Sequence, residues 1–215
     1  MPSLTLDPFA SLIRLLPVNQ HSVRVKASNW EDAFLQYGLE EEFGAIFGEF
    51  SEISLRREEV RNRCHEEERR KCIEILLWGY PSGMRGNHHL DYLENIERIV
   101  ECAKSEELWP DYYAALNDLK NLGISTVTKI AYFFDRRFDG QQALILDNRI
   151  ISVVSRGGWD ELAHLRVLTY GNSVGQYLSY LRTSSELAAR IEGAQPDQIE
   201  FFLFALGGAF ETNVD

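Results

Sequence analysis

Helical spacing of apolar residues runs through most of this chain and constrains its fold more than any other feature. The alternation that is typical of a strand is clear only at Ser22–Lys26 and weaker at residues 4–6. The helices expected from the spacing and from cap residues are 30–50 with interruptions at Gly38 and Gly44, 55–78 after Ser54, 89–104, 110–122, 126–134, 148–155, 173–181, 185–191 and 196–210. The sequence therefore predicts a mainly α fold with a short β element near the N-terminus.

Length and composition favour one folded unit. The chain has 215 residues, of which 45% are hydrophobic, and it contains neither internal repeats nor a flexible linker. We expect a single unit spanning 1–215, with an N-terminal segment over 1–55 and a helical body over 56–215. A chain of this size buries about 70% of the surface that it exposes when unfolded, so no disulfide or metal is needed for stability.

Membrane and metal-binding functions find no support in the sequence. No apolar run approaches the roughly 20 residues that span a bilayer, and the first residues lack the pattern of a secretory leader, which predicts a cytoplasmic protein. Cys64, Cys72 and Cys102 lie at no metal-ligand spacing, and we expect reduced thiols. His88 and His89 diverge on a helix because they are adjacent, so no metal site is expected.

The charge distribution bears on possible partners. The formal net charge of −11 argues against a nucleic-acid partner, because phosphate binding favours a basic face. The acidic excess is concentrated in residues 1–118, which contain 22 Asp and Glu against 13 Lys and Arg. Residues 119–166 contain 7 Lys and Arg against 5 Asp and Glu, so a DNA-binding surface in that segment remains compatible with the composition.

The segment 119–147 has the pattern of two helices joined by a tight turn, followed by a capped helix. A helix is expected to end at Leu122, a second one begins within a few residues, and an apolar run then leads to Asp147 at the start of another helix. The expected hairpin spans 119–135. Gly123 is expected to take the positive φ of the turn, and the N-H groups of the second helix suit a phosphate oxygen.

At these residues the sequence resembles the helix-hairpin-helix DNA glycosylases, in particular the 8-oxoguanine branch, whose hairpin reads L-P-G-V-G-T-K-V-A. Residues 128–131 (T-K-I-A) match T-K-V-A, and Leu146-Asp147 matches the later V-D. Gly123 to Ser125 (G-I-S) replaces G-V-G. Two extra hairpin residues bring Lys129 to the position of the catalytic lysine, and without them Val127 occupies it. Residues 78–86 also look like those of a bacterial glycosylase-fold subgroup from anti-phage defence operons.

The resemblance implies base excision without a cofactor. Cleavage of an N-glycosidic bond builds positive charge on the sugar, which a carboxylate stabilises, and Asp147 is the candidate. A lysine attacks the sugar carbon when its amine is neutral, which burial among apolar neighbours favours, and Lys129 is the candidate. The target nucleotide has to be flipped out of the duplex and held against aromatic side chains.

Further site residues follow from the same resemblance. The candidates for nucleic-acid binding are Gly123, Ser125, Thr126, Thr128, Arg85 and Arg149. The candidates for the base pocket are Trp78, Tyr80 and Phe201. Each has a purely structural alternative, since a lysine on an amphipathic helix is commonly solvated, an N-terminal Asp commonly only caps its helix, and the aromatic residues commonly pack in the core.

The sequence thus predicts a DNA glycosylase-like protein whose partner is DNA with a modified base. The alternative is a glycosylase fold without catalysis, which binds nucleic acid or a protein partner from a defence operon. The net charge and the departure at Gly123 to Ser125 favour that alternative. Residues 31–68 are then the acidic surface expected to bind protein.

Overall fold

The computed structural model of the protein describes residues 4–64, 67–83, 88–105, 107–119 and 122–211. Two compact units divide the chain. The N-terminal unit comprises Asn19–Glu107 and Asp111–Phe134, and the C-terminal unit comprises Met1–Val18, Leu108–Pro110 and Asp135–Asp215. The mainly α fold with a short β element is confirmed, since the described strands form two small antiparallel sheets and most other elements are helices.

One of these sheets begins the N-terminal unit. Strand β1 (Ser22–Lys26) pairs antiparallel with β2 (Glu52–Arg56), with Val25 opposite Ile53. The second strand corrects the prediction of a continuous helix from Ser54, because pairing with β1 overrides the local preference of a charged segment. The buried side chains of Val25 and Leu55 pack this two-stranded sheet against the core.

Glycines divide the segment between these strands. Helices α2 (Glu31–Gln36) and α3 (Glu40–Phe47) replace the single interrupted helix that spacing predicted. Gly38 and Gly48 adopt positive φ, of 64° and 56°, which is the usual way in which a helix ends at glycine. Gly44 lies inside α3 and does not interrupt it.

The rest of the N-terminal unit is helical and packs around two buried helices. The helices that follow β2 are α4 (Arg57–Arg61), α5 (Glu68–Gly79), α6 (His88–Glu94), α7 (Ile96–Lys104), α8 (Trp109–Asn117) and α9 (Ile124–Phe133). The first two residues of α8 belong to the C-terminal unit. Helix α5 packs against α7 and α9. All residues of α9 except Ser125 are buried, so this helix forms part of the core rather than an amphipathic surface.

The C-terminal unit is built around a long helix. It contains α1 (Ala10–Leu15), the short strands β3 (Arg137–Phe138) and β4 (Gln141–Gln142), α10 (Asn148–Arg156), α11 (Ser173–Arg190), α12 (Pro196–Phe202), a π-helical segment (Leu203–Gly207) and α13 (Gly208–Glu211). Helix α11 joins two predicted helices into one, and α12 packs on it. Residues 4–6 form no strand, and Leu4 makes only an isolated bridge with Trp159. None of the described helices is long and apolar enough to cross a membrane.

Candidate active site

Lys129 is buried in the middle of α9, where only 5% of its surface is exposed. Its Nζ donates to the hydroxyl oxygen of Ser125 at 2.6 Å and to the carbonyl oxygen of Ser125 at 3.2 Å. No carboxylate of the described residues lies within ion-pairing distance of this Nζ. Buried lysines are rare without an acidic partner, so this amine differs from the solvated lysine that the helix pattern alone favours.

The end of α5 closes one side of the Lys129 side chain. A Cβ added at Gly79 would lie 2.8 Å from Cδ of Lys129, which is closer than Cβ atoms come to other heavy atoms, and 3.1 Å from Cε. Nζ also lies 5.2 Å from the centre of the Tyr80 ring. Because glycine has no side chain, the backbone at position 79 can pack directly on the lysine stem.

Tyr80 and Thr126 join the turn after α5 to α9. Their hydroxyl oxygens share a hydrogen bond of 2.6 Å. The structure therefore brings together one predicted base-pocket residue and one predicted DNA-binding residue beside the predicted nucleophile. Trp78 is also buried, and its ring meets the rings of His21 and Phe133 edge to face at 5.2 Å each.

The start of α9 differs from the expected turn geometry. Gly123 is the N-cap residue with φ −69° and ψ 170°, so the expectation of a positive φ is wrong. An N-cap residue takes extended dihedral angles that any amino acid adopts, and no left-handed residue is needed there. Thr128 is fully buried, and its hydroxyl donates to the carbonyl of Ile124 at 2.8 Å. Arg85 lies outside the described residues, as do Lys120 and Asn121 between α8 and α9.

Asp147 caps α10 in the C-terminal unit, as the sequence predicts. Its Oδ1 accepts hydrogen bonds from the backbone N-H groups of Arg149 and Ile150, each at 3.0 Å. The half-buried carboxylate is thereby fixed at the positive end of the helix dipole. Oδ2 takes no part in these two bonds, so the cap leaves one oxygen available for another interaction.

A buried extended segment, Ala143 to Leu146, precedes Asp147 and fixes its position. The Tyr177 hydroxyl donates to the carbonyl of Leu144 at 2.6 Å and accepts from the N-H of Leu144 at 3.1 Å. The Tyr180 hydroxyl donates to the carbonyl of Ile145 at 3.2 Å. Two tyrosines of α11 thus satisfy backbone groups that have no ladder partner there, as burial requires.

Both tyrosines stay protonated at neutral pH. Burial raises the pKa of Tyr177 above its usual range. Burial also raises the pKa of Tyr180, and the neighbouring carboxylates of Glu200 and Asp147 act in the same direction. The hydroxyl groups therefore remain available as donors to the segment that precedes Asp147.

Arg149 and the aromatic residues of the C-terminal segment lie close together. The guanidinium carbon of Arg149 is 4.7 Å from the centre of the Phe204 ring, within the range of a cation-π contact. Phe201, the predicted pocket residue, stacks on Phe204 with ring centres 6.4 Å apart and an angle of 17°. Phe204, which is not among the predicted site residues, connects the two predicted residues Phe201 and Arg149.

Sequence reasoning also missed Gly79, the role of Ser125 towards Lys129, and the two tyrosines. Ser125 precedes Lys129 by four residues, so their contact was visible from helical spacing. The pairing of Tyr177 with Leu144 spans 33 residues and leaves no local signal. No group of three or more His, Cys, Asp or Glu side chains in the described part of the chain could hold a metal ion.

Comparison with known proteins identifies a family. The model of the family described as "Putative 8-oxoguanine DNA glycosylase OGG-like protein" matches residues 16–204. Both Lys129 and Asp147 fall inside the matched region, although they belong to different units of the fold. No curated protein and no solved structure matches the chain.

Proposed function

Because the chain belongs to this OGG-like family of 8-oxoguanine DNA glycosylase relatives, we propose that it excises a modified base from DNA by cleaving the N-glycosidic bond. At the coarser level, family membership makes it a DNA glycosylase-like protein. The proposal adds that Lys129 is the nucleophile and that Asp147 is the carboxylate that stabilises positive charge on the sugar.

The observation that carries the proposal is the buried amine of Lys129. Among the described residues, Ser125 is the only one whose side chain hydrogen-bonds this amine. The Gly79 backbone lies against the lysine stem, and the Tyr80 ring lies beside Nζ. A structural lysine would be expected to form an ion pair or to reach solvent. An oriented amine without a carboxylate partner is what nucleophilic attack requires once the amine is deprotonated.

In the proposed reaction the lone pair of the neutral Lys129 amine forms a bond to C1′ of the flipped nucleotide. The bond between C1′ and the base nitrogen breaks, and the base leaves with the bonding electrons and takes up a proton. A proton then passes from nitrogen to the ring oxygen O4′ and the bond between C1′ and O4′ breaks, which opens the sugar ring and gives a protonated imine between Lys129 and the sugar. Borohydride reduces such an imine to a stable amine, so the intermediate can be trapped.

The role proposed for Asp147 is electrostatic. Its cap bonds hold the carboxylate at the start of α10 before any substrate arrives, so little reorganisation is needed during the reaction. Serine also caps helices well but carries no charge. Asp147→Ser therefore separates capping from catalysis, whereas Asp147→Ala removes both.

The test measures released base and borohydride-trapped adduct with a panel of modified-base DNAs, including 8-oxoguanine duplexes and modified phage DNA. We expect the wild type to release one class of base and to form an adduct, and Lys129→Ala to form none. Lys104→Ala is the matched control, because Lys104 is an exposed lysine of the same unit that pairs with Glu68. Asp147→Ser is expected to retain wild-type stability and to lose base release.

Three results would contradict the proposal. An unchanged adduct in Lys129→Ala would exclude this lysine as the nucleophile. DNA binding without base release or adduct over the whole panel would favour a non-catalytic binding module instead. If no DNA binds even at low salt, a protein partner for the acidic residues 31–68 becomes the better interpretation.

A further inference from the structure

A cavity of about 500 Å³ opens beside α10 in the C-terminal unit. The function proposed above assigns no ligand to this cavity, although Arg149 in its wall is one of the predicted DNA-binding residues. One wall is formed by α10 and the other by residues 204–209. The lining residues that bear on its chemistry are Asn148, Arg149, Ser152, Val153, Arg156 and Phe204. The volume lies within the range of small-ligand sites in proteins.

The α10 wall is polar and positively charged. Arg149 and Arg156 are seven residues apart, which places them on the same face about 10 Å apart along the helix, with Ser152 between them. Asn148 lies at the first turn of the same helix. Guanidinium, amide and hydroxyl groups on one face can all donate hydrogen bonds to phosphate oxygens or to acceptors on a base edge.

The opposite wall consists of the aromatic ring of Phe204 and of small residues. Phe204 lies in the π-helical segment, a type of distortion that occurs often at binding sites. A Cβ at Gly207 would lie 2.8 Å from Cγ1 of Val153, so glycine allows this segment to approach α10 closely at the base of the cavity. The Phe204 ring in turn holds the Arg149 guanidinium at 4.7 Å, which orients that group before a ligand binds.

We propose that this cavity binds one nucleotide, whose base lies against Arg149 and Phe204 and whose phosphate is bound by Arg156. Bases stack on aromatic rings and on guanidinium planes, and arginine binds phosphate in a bidentate manner. Because α10 begins directly after Asp147, the nucleotide of a DNA strand that occupies the cavity is a neighbour of the one that is excised. This position in the strand rests on the proposed function, whereas nucleotide binding itself does not.

The experiment measures equilibrium binding of the full-length protein to four unmodified probes. These are a fluorescent single-stranded pentanucleotide, deoxyadenosine monophosphate, deoxyadenosine and inorganic phosphate. We expect Arg156→Gln to weaken binding of the two nucleotide probes roughly tenfold, and Phe204→Leu to weaken binding of every probe that carries a base by a similar factor. Arg149→Lys retains the charge but loses the planar group, and is expected to behave like Phe204→Leu.

Arg190→Gln is the matched control, because it makes the same charge change at an exposed arginine of this unit outside the cavity. Equal effects of Arg156→Gln and Arg190→Gln would overturn the proposal in favour of unspecific electrostatics. The proposal would also be overturned if inorganic phosphate bound as tightly as the mononucleotide and Phe204→Leu left its affinity unchanged. Cavity-dependent binding of the pentanucleotide alone supports a strand ligand, and binding of the mononucleotide as well supports a free nucleotide.

Failure of the two proposals can be told apart. Cavity-dependent binding in a protein that releases no base from any DNA would contradict excision and leave the nucleotide site intact. Base release by a protein whose cavity variants bind all four probes normally would contradict the nucleotide site and leave excision intact.

Discussion

Gly79 determines how closely the end of α5 approaches the Lys129 side chain. We expect Gly79→Ala to displace the amine, because the new methyl group would lie 2.8 Å from Cδ of Lys129. A misplacement of about 1 Å can reduce a rate roughly 100-fold, so adduct trapping is expected to slow by up to that factor. The measurement is the rate of borohydride-dependent adduct formation on the preferred substrate.

The control for this variant is Gly44→Ala in α3, where an added Cβ meets no atom within 4 Å. Alanine in a helix interior is favoured over glycine by about 0.5–1 kcal/mol, so Gly44→Ala should raise the free energy of unfolding and leave adduct formation unchanged. A Gly79→Ala protein that forms adduct at the wild-type rate would show that this close approach does not position the lysine.

His21 makes the stability of the protein depend on pH. Burial and the charge of Arg57 lower the pKa of His21 from 6.5 to about 4. Between these values the unfolded chain binds more protons at this residue than the folded one. The contribution of His21 to the free energy of unfolding is therefore complete above about pH 6.5 and is lost as the pH falls towards 4.

His21→Gln tests this dependence, since glutamine does not titrate. Urea midpoints near pH 7.5 and pH 4.5 should differ less for the variant than for the wild type. Because each protein is compared with itself at the two pH values, the constant effect of losing the ring contact with Trp78 cancels. If the stability of both proteins fell equally steeply with acid, the loss would come from titrating groups other than His21.

At the scale of elements, α11 supports the segment that carries Asp147. Tyr177→Phe removes the hydroxyl that both donates to and accepts from Leu144, and leaves two buried backbone groups without these partners. An unsatisfied buried polar group costs about 1–3 kcal/mol, so we expect the free energy of unfolding to fall by at least that amount. Chemical denaturation measures the change.

Tyr113→Phe is the comparison for this prediction, because the Tyr113 hydroxyl bonds Asn117 at the surface of α8 at 3.3 Å. Surface changes of this kind usually stay within about 0.5 kcal/mol. If Tyr177→Phe and Tyr113→Phe were equally stable, the contacts of Tyr177 would not stabilise residues 143–146.

At the scale of the whole molecule, DNA has to be bound by a chain with a net charge of −11. Binding is then expected to depend on local arginines and to weaken steeply with salt. The slope of log affinity against log salt counts phosphate contacts, so Arg156→Gln should reduce it by about one. Binding isotherms at several salt concentrations give this slope.

The exposed acids of α3 provide the control. Glu40→Gln with Glu41→Gln changes the net charge by two but removes no group expected to touch phosphate. We expect the affinity to rise slightly and the slope to stay the same. A slope that follows net charge rather than the individual arginine would argue against a defined DNA contact at α10.

The sequence by itself determined the features that depend on neighbours along the chain. The mainly α fold, the strand at Ser22–Lys26 and the cap formed by Asp147 are confirmed, because helical spacing, alternation and capping act over a few residues. The family resemblance that pointed to a glycosylase is likewise carried by short motifs, and the family match over residues 16–204 bears it out.

The tertiary structure decided what depends on partners far apart in the sequence. It paired β2 with β1 where spacing predicted a helix, and it buried Lys129 against Gly79, which lies 50 positions earlier. It also satisfied the backbone of Leu144 through Tyr177 and opened the cavity between α10 and Phe204. Such contacts depend on packing of distant elements and on the burial of polar groups, which no local pattern of residues encodes.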